Sequence, residues 1–508
     1  MADQPLLVFG PRSLDYDFGP SHPLTPRRFG PGIDLLRAVG AEPGLAPEPA
    51  PDDELLLAHT RQYVDVVRRF SEIDHGWMEA EAGIGVGGDD PPFKGMHDAA
   101  AAVAGGSIRA VEAILRGDVR RAFHPGGGLH HAMPARASGF CVYNDIALAV
   151  ARARAEGLRV LYLDLDVHHG DGVEAIHAAD PGVMTISIHE SGRYLFPGTG
   201  AADEIGEGTA AGTVVNVPLE PDTGEAAWLE TVERIVPELA AAFGPDLIVS
   251  QHGADSHAWD PLAHLRNTTT AMGRAARLVG SLSKRLTGGR WLASGGGGYG
   301  VYDVVPRSWA SVWLALADRE APDRLPLAWR ERWADEAARF GIPSLPTALT
   351  DQPNLGAPLA AWQEDAERRS LATTEAVSST VAPALIRAAV ARGWWEPISA
   401  PPGGDGGGED PSPNGSNGEP TIVAGLDRAR WDGLRLAPRV VMPANVADAH
   451  ALIAGALDSG ATVTAAIAGG DLIVGLVVSA AAEGRDAVEQ VLAVGVAPEL
   501  RRRGVATE

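Results

Sequence analysis

The feature that most constrains the fold is an alternation along the first two-thirds of the chain. Short β-branched or apolar runs at 6–9, 159–163, 183–188, 246–250 and 290–294 recur between Ala-rich helical stretches at 98–115, 147–156, 226–243 and 270–286. Strands alternating with helices predict an α/β fold built on a parallel sheet. In such sheets chemistry gathers beyond the carboxyl ends of the strands, and polar clusters stand at four of those ends. Asp164 onward follows one run, Ser187-Ile188-His189 ends another, Gln251 to Asp255 follows a third and Gly295 to Tyr299 a fourth.

Two tracts carry metal-type chemistry: His124-Pro125-Gly126-Gly127-Gly128-Leu129-His130-His131 and Asp164-Leu165-Asp166-Val167-His168-His169-Gly170-Asp171. Imidazole nitrogen, anionic oxygen and spare carboxylates to orient the rings are the inventory of a hydrolytic zinc centre. Asp166 and His168 lie two apart, so on an extended strand end they face one side and can chelate one ion. Asp255 supplies a third ligand from a neighbouring strand end. One imidazole and two carboxylates leave positions open for water and a substrate carbonyl, as a catalytic zinc requires. His130 and His131 are then free to move protons, with Asp164 and Asp171 to fix their tautomers. Tyr299 follows four glycines, on a turn expected to be flexible, where its phenol can reach a substrate oxygen.

With 508 residues the chain exceeds what one core usually supports, so a large domain and a smaller one are expected. The formal charge of −24, from 42 basic and 66 acidic residues, argues against a nucleic-acid partner and suits a cationic or lysine-bearing substrate. A lone cysteine, Cys141, excludes an internal disulfide and fits a reducing compartment. The N-terminal residues lack the basic region and apolar run of a signal peptide, and no stretch reaches the roughly 20 apolar residues that span a bilayer. A cytoplasmic protein with no membrane partner is expected. Residues 401–420 contain only Pro, Gly, Asp, Glu, Ser and Asn, and read as a flexible linker. It separates a domain at 1–400 from a second α/β unit at 421–508.

The stretches HPGGGLHHA, GFCVYNDIA, VLYLDLDVHHGDGV, FPGTG, QHGADSHAWDPLAHL and SGGGGY, in this order, resemble the zinc-dependent deacetylases of the histone deacetylase superfamily, most of all the bacterial acetoin-utilization deacetylases. The resemblance spans 6–386 and implies the arginase/deacetylase-type parallel sheet with helices on both faces. It implies that Asp166, His168 and Asp255 bind one Zn2+. By the same resemblance His131, held by Asp171, is the main general base and acid. His130, held by Asp164, gives electrostatic help, and Tyr299 donates to the carbonyl that becomes the oxyanion. Phe140 and Phe196 match the aromatics walling an acyl-lysine tunnel, and Leu262 a further wall position. Asp89 matches a rim carboxylate that binds the substrate backbone, although the doubled Asp89-Asp90 leaves that register open by one residue. Asp164, Asp166, His168, Ser187 and Ile188 match a structural potassium site.

The implied activity is release of acetate from N-ε-acetyl-lysine on a cytosolic protein, with acetyl-CoA synthetase the implied partner. The same chemistry on an acetylated polyamine is one alternative, although no insertion of the kind that narrows the tunnel of those hydrolases is visible. A non-catalytic acyl-lysine-binding scaffold is another, but it needs no proton shuttle.

Other residues read more simply. His59, His75, His97, His177 and His264 are expected as hydrogen-bonded core residues. Related two-metal ureohydrolases carry extra carboxylates where this chain has His257 and Gly170, so one metal is expected, with His257 supporting the site or at its rim. The run from Gly83 to Gly88 satisfies G-x-G-x-x-G, but no strand precedes it and Asp-Asp-Pro-Pro follows, so it is not a dinucleotide site. Cys141, next to Phe140, reads as a wall or core residue rather than a nucleophile. Near the end, a strand followed by R-x-x-G-x-A through Arg501, Gly504 and Ala506 is similar to the acetyl-CoA loop of the GNAT family of N-acetyltransferases, in which glycine lets backbone approach a pyrophosphate. Residues 440–457 and 471–478 match its early helix and central strand. The chain stops at Glu508, shortly after that loop, so an intact transferase holding acetyl-CoA is not expected.

Overall fold

A computed structural model describes residues 4–72, 79–206, 208–351 and 359–392, with five strands between 421 and 494. The chain divides into two units, 1–232 with 245–375, and 233–244 with 376–508.

The first unit is built on eight strands: β1 (Leu6–Val8), β2 (Pro43–Leu45), β3 (Arg121–His124), β4 (Val160–Asp164), β5 (Val183–Glu190), β6 (Val214–Leu219), β7 (Leu247–Gln251) and β8 (Trp291–Ser294). They lie in the order β2-β1-β3-β8-β7-β4-β5-β6, and every neighbouring pair is parallel. β4, β5, β7 and β8 are buried throughout, as a parallel sheet covered on both faces must be. Side-chain alternation divides them between the two faces. Leu292 joins Val160, Tyr162 and Val249 in a cluster with residues of the helices Met96–Arg116 and Asp145–Ala155. The adjoining Trp291 instead lies against Gly280 of the helix Thr269–Leu286.

All five expected strands and all four expected helices form within two residues of their expected ends. Three strands escape a reading of pattern. β2 is Pro-Gly-Leu, β3 carries Arg and His in four residues, and β6 is interrupted by Asn216 and Pro218. Each is specified by its neighbours in the sheet rather than by its own composition.

Register positions the chemistry. His124, Ser294, Gln251, Asp164, Ser187 and Asn216 pair in one row across β3, β8, β7, β4, β5 and β6. For β3, β8, β7 and β4 that row is the last residue of the strand, so four loops begin side by side.

In the second unit the strands are β9 (Thr421–Val423), β10 (Arg435–Leu436), β11 (Thr462–Ala468), β12 (Leu472–Ser479) and β13 (Leu492–Val494). β12, the expected central strand, pairs with β11 and β13 antiparallel and with β10 parallel, and β9 adds to β11. The linker at 401–420, the helix expected at 440–457, and Arg501, Gly504 and Ala506 lie outside the described residues, as does His75. Among the described residues no helix is long and apolar enough to cross a membrane.

His59, His97 and His177 are buried and hydrogen-bonded, as expected. His264 departs from that reading: its side chain is largely exposed, tethered through Nδ1 to the buried Glu190. Burial pushes His59 down to about 4, and His124 and His252 to about 3, against 6.5 for an exposed ring. Protons therefore bind the unfolded chain more readily, so stability present above pH 6.5 is lost as pH falls toward 3–4. Thermal melts followed by circular dichroism should show a midpoint that falls as the pH is lowered from about 7 to about 4. A protein as heat-stable at pH 4 as at pH 7 would contradict the burial of these neutral rings.

Candidate metal centre and active site

Asp166 and His168 follow β4, and Asp255 follows β7. One ligand atom from each lies within 4.8 Å of the others, and all three residues are buried. Their supports are backbone and amide groups. Gln251 Nε2 donates to Asp166 Oδ2 at 2.6 Å and the Gly297 amide to the same oxygen at 2.9 Å. The Val167 amide donates to Asp255 Oδ1 at 3.1 Å. His168 Nδ1 stands 3.0 Å from Asp166 Oδ1 and 3.3 Å from Asp255 Oδ2. Asp255 Oδ2 nevertheless has no donor in hydrogen-bonding geometry.

Burial and the neighbouring Asp166 push Asp255 up to about 6. Burial disfavours the charged ring of His168, but Asp166 and Asp255 outweigh it and raise His168 to about 10. Two buried carboxylates around one imidazole nitrogen, one oxygen of them orphaned, fit a divalent cation that takes the place of the proton. The donor set, one nitrogen and two carboxylates, suits Zn2+.

Two histidine–carboxylate pairs lie alongside. His130 Nδ1 donates to Asp164 Oδ2 and His131 Nδ1 to Asp171 Oδ1, both at 2.7 Å. All four residues are buried. Burial opposes charge on His130, but Asp164 with Asp166 overcomes it and raises the ring to about 9. Burial, with the charge of His130, pushes His131 down to about 3. A neutral His131 beside a cationic His130 leaves Nε2 of His131 able to accept a proton.

Asn144 and Asp145 hold the loop that carries these histidines. Asn144 caps the helix Asp145–Ala155 through Oδ1 and donates from Nδ2 to the carbonyls of His130 and Ala132. Asp145 accepts from the amides of Gly128 and Leu129.

The Tyr299 loop is pinned, which corrects the expectation of a flexible turn. Gly295 and Gly296 donate to the carbonyls of His124 and Gly127, Gly297 to Asp166, and Tyr299 to Asp260 Oδ2. A Cβ on Gly297 would sit 1.9 Å from Asp255 Oδ2, so glycine here serves close approach over the carboxylates. Burial, with Asp255 and Asp166, holds the Tyr299 phenol protonated and hence a donor.

His130, His131, Asp166, His168, Asp255, Phe140, Cys141 and Tyr299 line one cleft with about 290 Å3 of empty space. Cys141 is thus a wall residue, and burial pushes its thiol up, away from thiolate. Phe196 sets its ring edge-on to His131 at 5.0 Å. Of the doubled acids, Asp89 is exposed and Asp90 buried. Leu262 is half-buried, its amide held by Asp260, and is not among the residues lining this cleft. Asp164 and Ser187 pair across β4 and β5, bringing the expected potassium residues to one sheet edge.

His257 is buried, with Nε2 2.8 Å from Asp351 Oδ2, and Arg307 holds Oδ1 of the same carboxylate at 2.6 Å. A Cβ on Gly170 would meet Asp164 Oδ2 at 2.1 Å. A second carboxylate therefore has no room there. The run from Gly83 to Gly88 lies in a loop of isolated bridges, and the nearest element before it among the described residues is the helix Arg61–Glu72, not a strand.

Leu24, Asp260 and Arg28 carry no sequence signal of their own, though Asp260 stands inside the stretch QHGADSHAWDPLAHL, and Gln251 is legible only as the start of a polar cluster. Burial and the neighbouring Asp255 push Asp260 up to about 8. Arg28 is buried, donates to the Gly296 carbonyl at 2.7 Å, and lines a second cavity that shares the Leu24 and Leu129 walls with the cleft.

The model of the histone deacetylase domain matches residues 22–316, more than half of the chain and the whole span of these loops. The chain belongs to the histone deacetylase family. It is 38% identical over 379 residues to the acetoin utilization protein AcuC of Bacillus subtilis (strain 168), covering 73% of this chain and 96% of that protein. Identity to the AcuC of Staphylococcus aureus (strain COL) is 40% over 334 residues, covering 64% and 85%. Among solved structures, the crystal structure of an HDAC homolog from Aquifex aeolicus aligns with a TM-score of 0.60 and 27% identity, over 72% of this chain and 99% of that one. The eight-stranded sheet is accordingly the arginase/deacetylase-type fold, and a deacetylase hydrolase is the family's activity.

Proposed function

We propose that this deacetylase hydrolyses N-ε-acetyl-lysine on a cytoplasmic protein, releasing acetate, with Zn2+ at Asp166, His168 and Asp255. The convergence of those three residues with two buried histidine–carboxylate pairs supports the reading most directly. Bound there, zinc supplies Lewis acidity toward an amide carbonyl and lowers the pKa of water to about 7. His131 accepts the proton of the attacking water at Nε2 and returns it to the leaving lysine nitrogen, while Asp171 holds the ring. His130 keeps a positive charge beside the reacting centre, and Tyr299 donates to the developing oxyanion. Phe140 and Phe196 flank the acyl-lysine chain, and Asp89, exposed at the rim, takes the substrate backbone. Potassium is proposed to brace the ligand loop at Asp164, Asp166, His168, Ser187 and Ile188. Acetyl-CoA synthetase, the partner that the sequence resemblance implies, is the first protein substrate to try.

The test is acetate release by the full chain from acetyl-lysine peptides and from acetylspermidine, with and without a zinc chelator. Release from the peptide that the chelator abolishes and added zinc restores is expected. Preference for acetylspermidine would move the substrate to polyamines, and no chelator-sensitive release from either would defeat the reading.

A further inference from the structure

We propose that Tyr16 is a positioning residue that clamps the Phe140 turn and so sets one wall of the acyl-lysine tunnel. The inference rests on the deacetylase reading above.

Ser138-Gly139-Phe140-Cys141 is a two-residue hairpin turn. Cys141 and Ser138 exchange backbone hydrogen bonds at 2.9 and 3.1 Å, and φ is +53° at Gly139 and +69° at Phe140. Positive φ at both central residues is what a type I′ turn demands, and Asn, Asp or Gly normally meets it. A phenylalanine there is strained, and such strain persists only where the surroundings over-determine it. The buried hydroxyl of Tyr16 supplies that determination from 124 residues away. It donates to the Phe140 carbonyl at 2.9 Å and accepts the Val142 amide at 3.0 Å.

The same segment also reaches round to the Phe140 side chain. The Tyr16 ring meets Phe18 edge-on at 5.2 Å, Phe18 lies on His22 at 4.4 Å, and His22 meets Phe140 edge-on at 4.5 Å. His22 Nε2 donates to the Asp89 carbonyl at 3.1 Å, so the rim residue hangs on the same strap. On its other side Phe140 meets Tyr299 at 6.1 Å. Backbone and ring of the tunnel wall are thus gripped by one short stretch of the N-terminal chain.

Removing the hydroxyl strands a carbonyl and an amide and lets Phe140 leave its strained conformation. Substrate affinity then falls with the fraction of molecules whose wall is in place, while a bound substrate meets an unchanged set of catalytic groups. Tyr63 is the control. Its hydroxyl donates to the Val142 carbonyl at 2.6 Å, in the same segment but without a hydrogen bond to Phe140.

Tyr16→Phe and Tyr63→Phe are to be compared in the full chain on one acetyl-lysine peptide, with hydrogen exchange at the Val142 amide as a second readout. Tyr16→Phe should raise KM roughly three- to tenfold, as the loss of one or two hydrogen bonds allows, with kcat little changed and faster exchange at Val142. Tyr63→Phe should leave KM unchanged. Unchanged KM in Tyr16→Phe, equal KM increases in both variants, or a fall in kcat alone would overturn the proposal. If the wild-type chain hydrolyses no acyl-lysine peptide, the deacetylase reading fails by itself. Exchange still decides the clamp in that case, and unchanged protection at Val142 in Tyr16→Phe overturns it.

Discussion

His131→Ala is expected to lower kcat on an acetyl-lysine peptide by about 10²–10⁴-fold, the usual worth of a positioned general base and acid. Both rings donate Nδ1 to a buried carboxylate, so charge separates them: burial and the adjacent charge favour the neutral ring in His131, whereas Asp164 and Asp166 favour the cation in His130. A cation has no lone pair for the attacking water's proton, so His130→Ala should cost less, through lost charge rather than lost proton transfer. Single-turnover assays with the two variants, checked for native folding by circular dichroism, measure the difference. A His131→Ala enzyme within a few-fold of wild type would remove His131 from proton transfer.

Tyr299→Phe should lower kcat by about 10²–10³-fold, as loss of one oxyanion donor does, while bound metal stays at its wild-type level. The phenol is held protonated by burial and the nearby carboxylates, and its loop is fixed by Asp166 and Asp260 rather than by the ring itself. Phenylalanine therefore keeps the loop, and the contact with Phe140, and deletes only the donor. Turnover near wild type, with zinc measured on the same sample, would exclude Tyr299 from the mechanism. Zinc lost along with turnover would instead make the residue part of the metal site.

Much of this was legible in the sequence because the central strands and the ligand loops are specified locally. The runs at β4, β5, β7 and β8 are mostly apolar and buried, and each ends in the polar residues that matter. The weaker strands β2, β3 and β6 owe their conformation to partners far away in the chain, which no local pattern reports. The Tyr299 loop shows the same limit from the other side. Four glycines read as freedom, but an added Cβ would meet Pro125 at Gly295, Gln251 at Gly296, Asp255 at Gly297 and Ala254 at Gly298. Tyr16 and Arg28 were invisible for a related reason, since each acts on residues more than a hundred positions away. His264 shows that a histidine can be tied down without being buried.

The shared last row of β3, β8, β7 and β4 has a consequence for how such an enzyme tolerates change. In the proposed mechanism, proton transfer follows β3, the oxyanion donor β8, one metal ligand β7 and the other two β4. The sheet thus acts as a ruler with marks about 4.8 Å apart, each carrying a different instrument. A slip of one residue at any strand moves one instrument by about 3.3 Å and turns it to the other face, leaving the others in place. Because these strands are buried throughout, such a slip costs core packing and turnover together, so the register that holds the sheet also holds the site.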